Sequence, residues 1–454
     1  MDTPALDTPT AGPTTTEEPP AEPVTSAATP RVIVPALDGF RGLAALTVVL
    51  YHVFSGAGLP PLGNTTLRDV LESGYVGVDF FFVISGFVLF LPTVLAGGRF
   101  GNVRAYGIRR AARIVPAYYM ALIAAVILQP LLNVSRTDLP WDGQTGIVTF
   151  LLHLSFLQHS VGLLRGYTEG FLVLGVIWTL TLEATFYVVL PLIASWYYRH
   201  PFVGFAIALV ASVGWKLTVV HASFSVGWLR GTDPPALLRL ILVTQFPTFL
   251  AHFAAGMTAA WLFVRWRTSD KEWLPWAAVA MQIAAVAVIL WGMQAAGHRD
   301  MTATGGVYDH WTKTLAMALA FAVLVLATVL APARAQSPFT NRAARALGDI
   351  SYGVYLWHTL IIGFALVTLG FSYGATTSAF LSMLAITSVG SIAIATLSLV
   401  FVERPCIRWA RRCSRRIERN DRRRHAAGLP PGPAGPAGPA GPEKVEAVNP
   451  VNAW

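Results

Sequence analysis

Long runs of apolar residues recur along most of the chain and alternate with short polar or basic segments. A helix needs about 20 residues to cross about 30 Å of hydrocarbon, and ten runs come close to that length. The pattern predicts an all-α polytopic membrane protein with about ten transmembrane helices. The predicted spans are residues 42–59, 76–97, 114–132, 171–196, 202–221, 236–264, 274–296, 312–332, 350–371 and 377–402.

One further run, residues 146–163, contains the polar sequence HLSFLQHS and is predicted to be re-entrant or interfacial. Short loops rich in Arg and Lys favour the cytoplasmic side of a membrane. With ten spans, the basic loops at 98–113, 265–272 and 333–346 share one side with the basic segment after residue 403. An eleventh span at 146–163 would place the loops at 265–272 and 333–346 on the opposite side. We therefore expect a multi-pass protein of the cell (plasma) membrane with both termini in the cytoplasm.

Composition supports this class and excludes others. The 454 residues are 54% hydrophobic and only 13% charged, whereas soluble domains are about 25% charged. The net charge of +9 does not indicate a nucleic-acid partner, because the arginines are dispersed among apolar segments and have a topological use. The two cysteines, Cys406 and Cys413, suggest neither a disulfide framework nor a metal site.

The chain divides into one membrane domain and two tails. Residues 1–34 are rich in Pro, Thr, Ala and Glu, lack the features of a signal peptide, and are predicted to be a disordered cytoplasmic tail. Residues 35–404 form the transmembrane domain. Residues 405–454 are predicted to be a second disordered cytoplasmic tail, basic at first and then Pro/Gly-rich. Its arginines suit contact with anionic membrane lipid.

The first span carries two ionisable residues, Arg41 and His52, in the sequence LDGFRGLAALTVVLYHVF. Eleven helical residues turn through about 1100°, so both side chains lie on one face, roughly 16 Å apart along the axis. One interpretation is a tunnel that binds an anionic group at Arg41 and handles a proton at His52. The other is a snorkelling arginine and a hydrogen-bonded core histidine. This pair alone leaves both interpretations open.

Further polar side chains occur in or beside the other predicted spans. Arg110 and Arg113, at positions i and i+3, share one helical face. They lie on the side where an anionic co-substrate from the cytoplasm would arrive. The residues are Asp79 and Ser85 in GYVGVDFFFVISGFVL, Arg110 and Arg113 in RRAARIVPAYY, Glu183 in WTLTLEATFYVVLPL, and Tyr352 and His358 in LGDISYGVYLWH; the last span ends at VERP.

These stretches, in this order over about 35–410, resemble the membrane-bound acyltransferase-3 family. That family O-acylates sugars, cell-wall polymers, lipids and antibiotics. The resemblance implies an acyltransferase-3-like helical bundle and the transfer of an acyl group from a cytoplasmic donor to a hydroxyl. The implied donor is acyl-CoA as co-substrate, with acetyl-CoA expected. The implied acceptor is a hydroxyl-bearing carbohydrate, lipid, cell-wall polymer or small molecule.

The resemblance also assigns roles to individual residues. His52 matches the essential histidine of the family, and Arg41 matches its paired arginine. Arg110 and Arg113 match the pair expected near the phosphates of the donor, and Glu183 matches the acidic residue after the tryptophan.

The match is incomplete beyond this glutamate. The family often follows it with a second acidic or amide pair, but Ala184 and Thr185 stand here. This departure weakens any role for an extended polar cluster on the helix.

Hydroxyl acylation needs a base for the alcohol proton or a nucleophile that carries the acyl group. Neutral imidazole can do either, so His52 is predicted to be the general base or a transient acyl carrier. A carboxylate, Asp79 or Glu183, would orient its ring. Guanidinium groups match phosphate oxygens, which suits Arg41, Arg110 and Arg113 to the donor.

Other polar residues carry weaker hypotheses. Ser85, Tyr352 and His358 are further site candidates, but packing or hydrogen bonding within the bundle explains them equally well. His153, His159 and His252 are predicted to be structural, although His153 and His159 would also suit the acceptor side. No His/Cys cluster with metal-ligand spacing occurs, so no metal is expected.

Two rival functions fit parts of the sequence. Gly370 to Gly374 match G-x-S-x-G, but a nucleophile elbow needs an α/β sheet around it. A membrane transporter or flippase of acyl groups or lipid-linked substrates also places charge inside a bundle. Against it, the ionisable residues concentrate in the first four helices without an internal repeat. Some members of the family carry an appended esterase-like domain, so a separate envelope partner protein is a further expectation.

Overall fold

The computed structural model of the protein describes residues 34–57, 65–128, 144–165, 172–221, 242–296, 304–370 and 376–427. All regular structure in these ranges is helical, which confirms the predicted fold class. The predicted tails 1–33 and 428–454 lie outside the described residues. The α-helices are α1 (Ala36–Ala57), α2 (Thr65–Glu72), α3 (Val76–Leu95), α4 (Val103–Leu128), α5 (Gln144–Leu154), α6 (Gln158–Arg165), α7 (Trp178–Arg199), α8 (Pro201–His221), α9 (Phe246–Trp266), α10 (Leu274–Ala296), α11 (Thr304–Leu330), α12 (Ala333–Thr340), α13 (Arg342–Thr368), α14 (Thr377–Ser398) and α15 (Arg404–Ala426).

The number of spans agrees with the apolar pattern. Within the described ranges, nine helices are long and apolar enough to cross a membrane. A tenth candidate is the bent pair Thr314–Leu330 and Ala333–Thr340, whose two parts meet at 117°. The chain is therefore a multi-pass membrane protein.

The polar run at 146–163 forms two short helices, α5 and α6, of 11 and 8 residues. Neither is long enough to span a bilayer. The turn between them contains Phe156, which has a φ of 58°, a conformation that few non-glycine residues adopt. Helix α4 supports this turn, because the hydroxyl of Tyr118 donates to the carbonyl of His153 at 3.0 Å and the hydroxyl of Tyr119 donates to that of Leu154 at 2.7 Å.

The basic segment after the last span is helical, and the prediction of a disordered tail from residue 405 is wrong as far as residue 426. The chain leaves α14 through one π-helical turn, Leu399–Glu403, and continues as α15. The density of positive charge alone favours disorder. Acidic residues among the arginines, however, give one side of this helix partners.

Those partners lie on the first turns of α4 and just before it. Arg109 Nη1 lies 2.8 Å from Glu418 Oε1, and the side chain of Asn102 bonds to that of Asp421. The hydroxyl of Ser414 donates to the carbonyl of Ala105 at 3.1 Å. Helix α15 is thereby fixed along the end of the bundle that carries the arginines of α4, called here the arginine end.

Two glycines allow α3 and α9 to cross closely. A Cβ atom on Gly86 would lie 2.1 Å from the carbonyl oxygen of Phe253, and one on Gly256 would lie 2.0 Å from that of Val83. Small residues at a crossing let membrane helices pack backbone to backbone. Helices α1 and α13 meet in the same way, since a Cβ on Gly348 would lie 2.2 Å from the carbonyl oxygen of Asp38.

We expect Gly86→Ala to destabilise the protein by about 1–3 kcal/mol, because the added methyl group must push the two backbones apart. Thermal unfolding of the purified protein in detergent, followed by the loss of the monodisperse peak on size exclusion, measures this effect. Gly214→Ala is the matched control, since a Cβ there meets nothing within 4 Å. Equal unfolding temperatures for the two variants would contradict the close crossing.

Candidate active site

Two histidines from distant parts of the chain meet inside the bundle. His52 Nδ1, on α1, lies 3.2 Å from His358 Nε2, on α13. The side chain of His358 is fully buried. The close approach of α1 and α13 at Gly348 brings these two helical faces together. The structure thus pairs a residue predicted to be catalytic with one that was only a further candidate.

Backbone carbonyls fix the tautomers of both rings. His52 Nδ1 lies 2.9 Å from the carbonyl oxygen of Val48, and His358 Nδ1 lies 3.3 Å from that of Val354. A carbonyl oxygen only accepts, so each neutral ring carries its proton on Nδ1. His52 then shares its Nδ1 proton between Val48 and His358 Nε2. Its Nε2 is the basic nitrogen of the ring.

A cavity lies on the other side of Tyr355, whose ring contacts that of His358. It contains about 450 Å³ of empty space, its opening included, and lies among α1, α3, α7 and α13. The phenylalanines of α3, Phe81 and Phe82, supply much of its apolar wall. Its polar lining consists of Arg41, Ser85, Thr179, Glu183, Tyr352 and Tyr355.

Tyr355 connects the cavity to the histidine pair. Its ring centroid lies 5.8 Å from that of His358 and 5.8 Å from that of Phe81. Its hydroxyl lies 2.8 Å from Thr179 Oγ1 and donates to the carbonyl of Val176 at 2.9 Å. Sequence reasoning did not single out Tyr355 or Thr179 within their motifs, because both residue types are common in spans and the contact between them joins two distant helices, α13 and α7.

Glu183 faces the cavity and is held by two hydroxyl groups. Tyr187 donates to its Oε1 at 2.7 Å from the next helical turn, and Ser85 donates at 3.5 Å from α3. Arg41 is within the range of charge interaction with Glu183. The predicted site residues Arg41, Ser85 and Glu183 therefore come together. Tyr352 lines the same cavity and donates its hydroxyl proton to the carbonyl of Ile114 at 2.9 Å.

Asp79 lies elsewhere. Its carboxylate is 3.1 Å from Nε2 of His252 on α9, and its charge also interacts with Lys216 on α8. All three side chains are buried. Asp79 is not among the residues that line the cavity. Helix α3 turns Ser85 toward the cavity and Asp79 away from it, so the expectation that Asp79 orients His52 gains no support from this arrangement.

The predicted arginine pair of α4 lies at the arginine end and is divided between two environments. Arg113 Nη1 is 3.7 Å from Oε2 of Glu403, at the end of the π-helical turn. Arg110 lies over the ring of Tyr106, 5.7 Å from its centroid. Nε of Arg110 is buried and has no hydrogen-bond partner among the described residues. An unsatisfied buried N–H of a guanidinium is a good donor for a phosphate oxygen, so these residues fit the anionic part of an acyl donor.

The two histidines of the α5–α6 segment have structural contacts. His153 Nδ1 donates to the carbonyl of Thr149 at 2.8 Å, and His159 Nε2 donates to that of Thr244 at 3.1 Å. Burial lowers the pKa of each to about 4, so both rings are neutral at pH 7. Among the residues whose positions are described, no group of three His, Cys, Asp or Glu side chains could hold a metal ion.

Comparison with known proteins extends over most of the chain. A family profile described as an acyltransferase domain matches residues 34–400. The peptidoglycan O-acetyltransferase OatA of Listeria monocytogenes is 26% identical over 389 residues, which cover 83% of this chain and 56% of that protein. The exopolysaccharide production protein ExoZ of Rhizobium meliloti is 27% identical over 349 residues, which cover 74% of this chain and 91% of that protein.

A third relative is similarly distant. Nodulation protein 10 of Rhizobium leguminosarum is 25% identical over 384 residues, covering 82% of this chain and 92% of its own length. The chain thus spans nearly all of two of these relatives and little more than half of OatA. No solved structure matches the chain significantly.

The backbone contacts predict that His52 is neutral with its proton on Nδ1. Nitrogen-15 NMR of histidine-labelled protein at neutral pH distinguishes the two tautomers, and the spectrum of His52→Gln assigns the signal. We expect a protonated Nδ1 and an unprotonated Nε2. A His52 signal with the proton on Nε2 would contradict the arrangement with Val48 and His358.

Proposed function

The chain belongs to the membrane-bound acyltransferase-3 family, and on that premise we propose that it is an O-acyltransferase that moves an acyl group from acyl-CoA to a hydroxyl. The observation that carries the proposal is the His52–His358 pair, which contacts Tyr355, a residue that lines the same cavity as Arg41. The ring of Tyr355 then connects the histidine pair with the cavity in which Arg41 would bind an anion. Acetyl-CoA is the donor we test first.

In the proposed reaction His52 acts through Nε2. This nitrogen accepts the proton of the acceptor hydroxyl while the hydroxyl oxygen forms a bond to the acyl carbonyl carbon. The bond from that carbon to the thioester sulfur then breaks, and the sulfur leaves with the proton. The alternative is that Nε2 bonds to the acyl carbon while the thioester sulfur leaves as the thiolate. The acceptor hydroxyl then displaces the acyl group from Nε2, and its proton passes to the thiolate. Both routes need the tautomer that Val48 and His358 favour.

His358 is proposed as a positioning residue. Its Nε2 accepts the shared proton of His52 Nδ1 and stabilises the positive charge that forms on the ring when Nε2 is protonated. In many enzymes a carboxylate has this role. A neutral imidazole polarises the base less than a carboxylate and avoids a second charge in a low-dielectric bundle.

Arg110 and Arg113 are proposed to bind the donor phosphates, with Arg41 between them and the cavity. The unsatisfied Nε of Arg110 and the loose ion pair of Arg113 support this role. The donor would enter from the cytoplasm, because the basic loops indicate that the arginine end is on that side. Glu183 is proposed to hold Arg41 in place, and Asp79 to hold α3 against α9 through His252.

The proposed acceptor is a hydroxyl of an envelope carbohydrate. The name of OatA states peptidoglycan O-acetylation, and that of ExoZ states exopolysaccharide production. Within this class the acceptor is a cell-wall polymer, glycolipid or exopolysaccharide. A separate envelope partner that receives the acyl group is compatible with the same chemistry.

We expect His52→Ala to lower transfer by at least about a hundredfold, the usual contribution of a general base. Purified protein in vesicles is incubated with radiolabelled acetyl-CoA and a crude envelope extract, and release of CoA and movement of label are followed. His358→Ala should lower kcat by about tenfold, and His358→Gln should restore part of it, because the amide oxygen can also accept from His52 Nδ1.

The exposed His200 provides a control, and His200→Ala should transfer at the wild-type rate. Wild-type transfer by His52→Ala would refute both the general-base and the acyl-carrier roles. Movement of label across the vesicle without CoA release would instead favour the transporter interpretation.

We expect Arg110→Ala to raise the KM for acetyl-CoA by about tenfold with a smaller change in kcat, because a charged hydrogen bond to phosphate contributes about 1.5–3 kcal/mol. Initial rates of CoA release against donor concentration measure both constants. Arg104→Ala, an exposed arginine of the same helix, controls for the loss of one positive charge. An equal rise in KM for both variants would refute a specific role for Arg110.

A further inference from the structure

A buried carboxylate lies at the point where the last span becomes α15. Glu403 ends the π-helical turn Leu399–Glu403 and is only 1% exposed. Single π-helical turns inside helices often mark functional sites. An ionised carboxylate is costly to bury unless it is paired, so its partners decide its role.

Its two oxygens are held unequally. Oε1 accepts a hydrogen bond from the hydroxyl of Ser398 at 3.1 Å. Oε2 lies 3.7 Å from Arg113 Nη1 and makes no hydrogen bond within the described part of the chain. The charge of Glu403 also interacts with Arg41. The carboxylate therefore supplies negative charge to the arginines without the short, directional hydrogen bonds of a tight ion pair.

The backbone around Glu403 is anchored on both sides. On one side, Ser398 ends α14. On the other side, α15 is fixed to α4 by two contacts: Glu418 pairs with Arg109, and Ser414 donates to the carbonyl of Ala105. The carboxylate consequently stays beside Arg113 by its backbone position rather than by the strength of the contact. Rotation of its side chain is enough to release the arginine.

We propose that Glu403 is an intramolecular competitor for the phosphates of the donor. It neutralises Arg113 while no donor is bound, gives the guanidinium up to a phosphate when acyl-CoA enters, and takes it back as CoA leaves. This inference rests on the proposed function, in which Arg113 binds the donor. The carboxylate weakens donor binding, and in return it speeds the release of the spent CoA.

The test measures the binding of CoA itself, so it does not depend on knowing the acceptor. Isothermal titration compares CoA binding to purified wild-type protein and to Glu403→Gln. The Kd should fall by about fivefold or more, the low end of usual coupling between sites. With acetyl-CoA as substrate, kcat should fall as KM falls, since CoA leaves more slowly. Glu418→Gln removes the same charge from the neighbouring α15–α4 contact, but its amide oxygen can still accept from Arg109, so this variant should bind CoA like the wild type.

Each other outcome decides against the inference. If the wild type binds CoA and Glu403→Gln binds it equally or more weakly, the donor assignment stands and the role of Glu403 is refuted. If the wild type does not bind CoA, the donor assignment and the role of Glu403 are both refuted. Should Glu403→Gln not fold, Glu403→Asp keeps the charge but draws it away from Arg113. Unchanged or weaker CoA binding by this second variant overturns the proposal.

Discussion

The cost of placing charge inside a helical bundle governs this structure. An ionised side chain in hydrocarbon is stable only when it faces a cavity or an opposite charge. Asp79 meets His252, Arg113 meets Glu403, and Arg41 lies among acidic groups beside the cavity. Each of these contacts joins helices that are distant in sequence. The polar residues therefore specify which helices are neighbours, and the apolar runs supply only spans of suitable length.

Close helix crossings make these contacts possible. Glycines let α3 approach α9 and let α1 approach α13, which brings Asp79 to His252 and His52 to His358. Helix α3 serves both regions, because it presents Ser85 to the cavity and Asp79 to a different face, on which His252 lies. One helix thus separates a charge contact that holds the bundle together from the space proposed for the reaction.

The sequence predicted the local features of the protein and only part of the assembly. Apolar runs identified the spans, and helical periodicity placed Arg41 and His52 on one face. It did not predict the partner of His52, because His358 lies 306 residues away and several other polar residues were equal candidates. Asp79 was expected near His52 because the sequence does not show which polar residues of different helices meet. The helix at Arg404–Ala426 was missed because its stability comes from contacts of Glu418 and Ser414 with α4, which composition does not show.

The distance between the two ends of the proposed site restricts the donor. Arg41 and His52 are separated by roughly 16 Å along α1, and the charge of Arg113 interacts with that of Arg41. An acyl carbonyl next to His52 therefore cannot belong to a small donor whose phosphate is bound by these arginines. Acetyl phosphate, in which the two groups share an oxygen, does not meet this condition. A donor with a long flexible arm between its phosphates and its thioester does, and this is the physical argument for acyl-CoA. The cavity that Arg41 lines combines an apolar wall with a few hydroxyl groups. The arm of the proposed donor would need such space and a limited number of hydrogen bonds, and charges only at its phosphates.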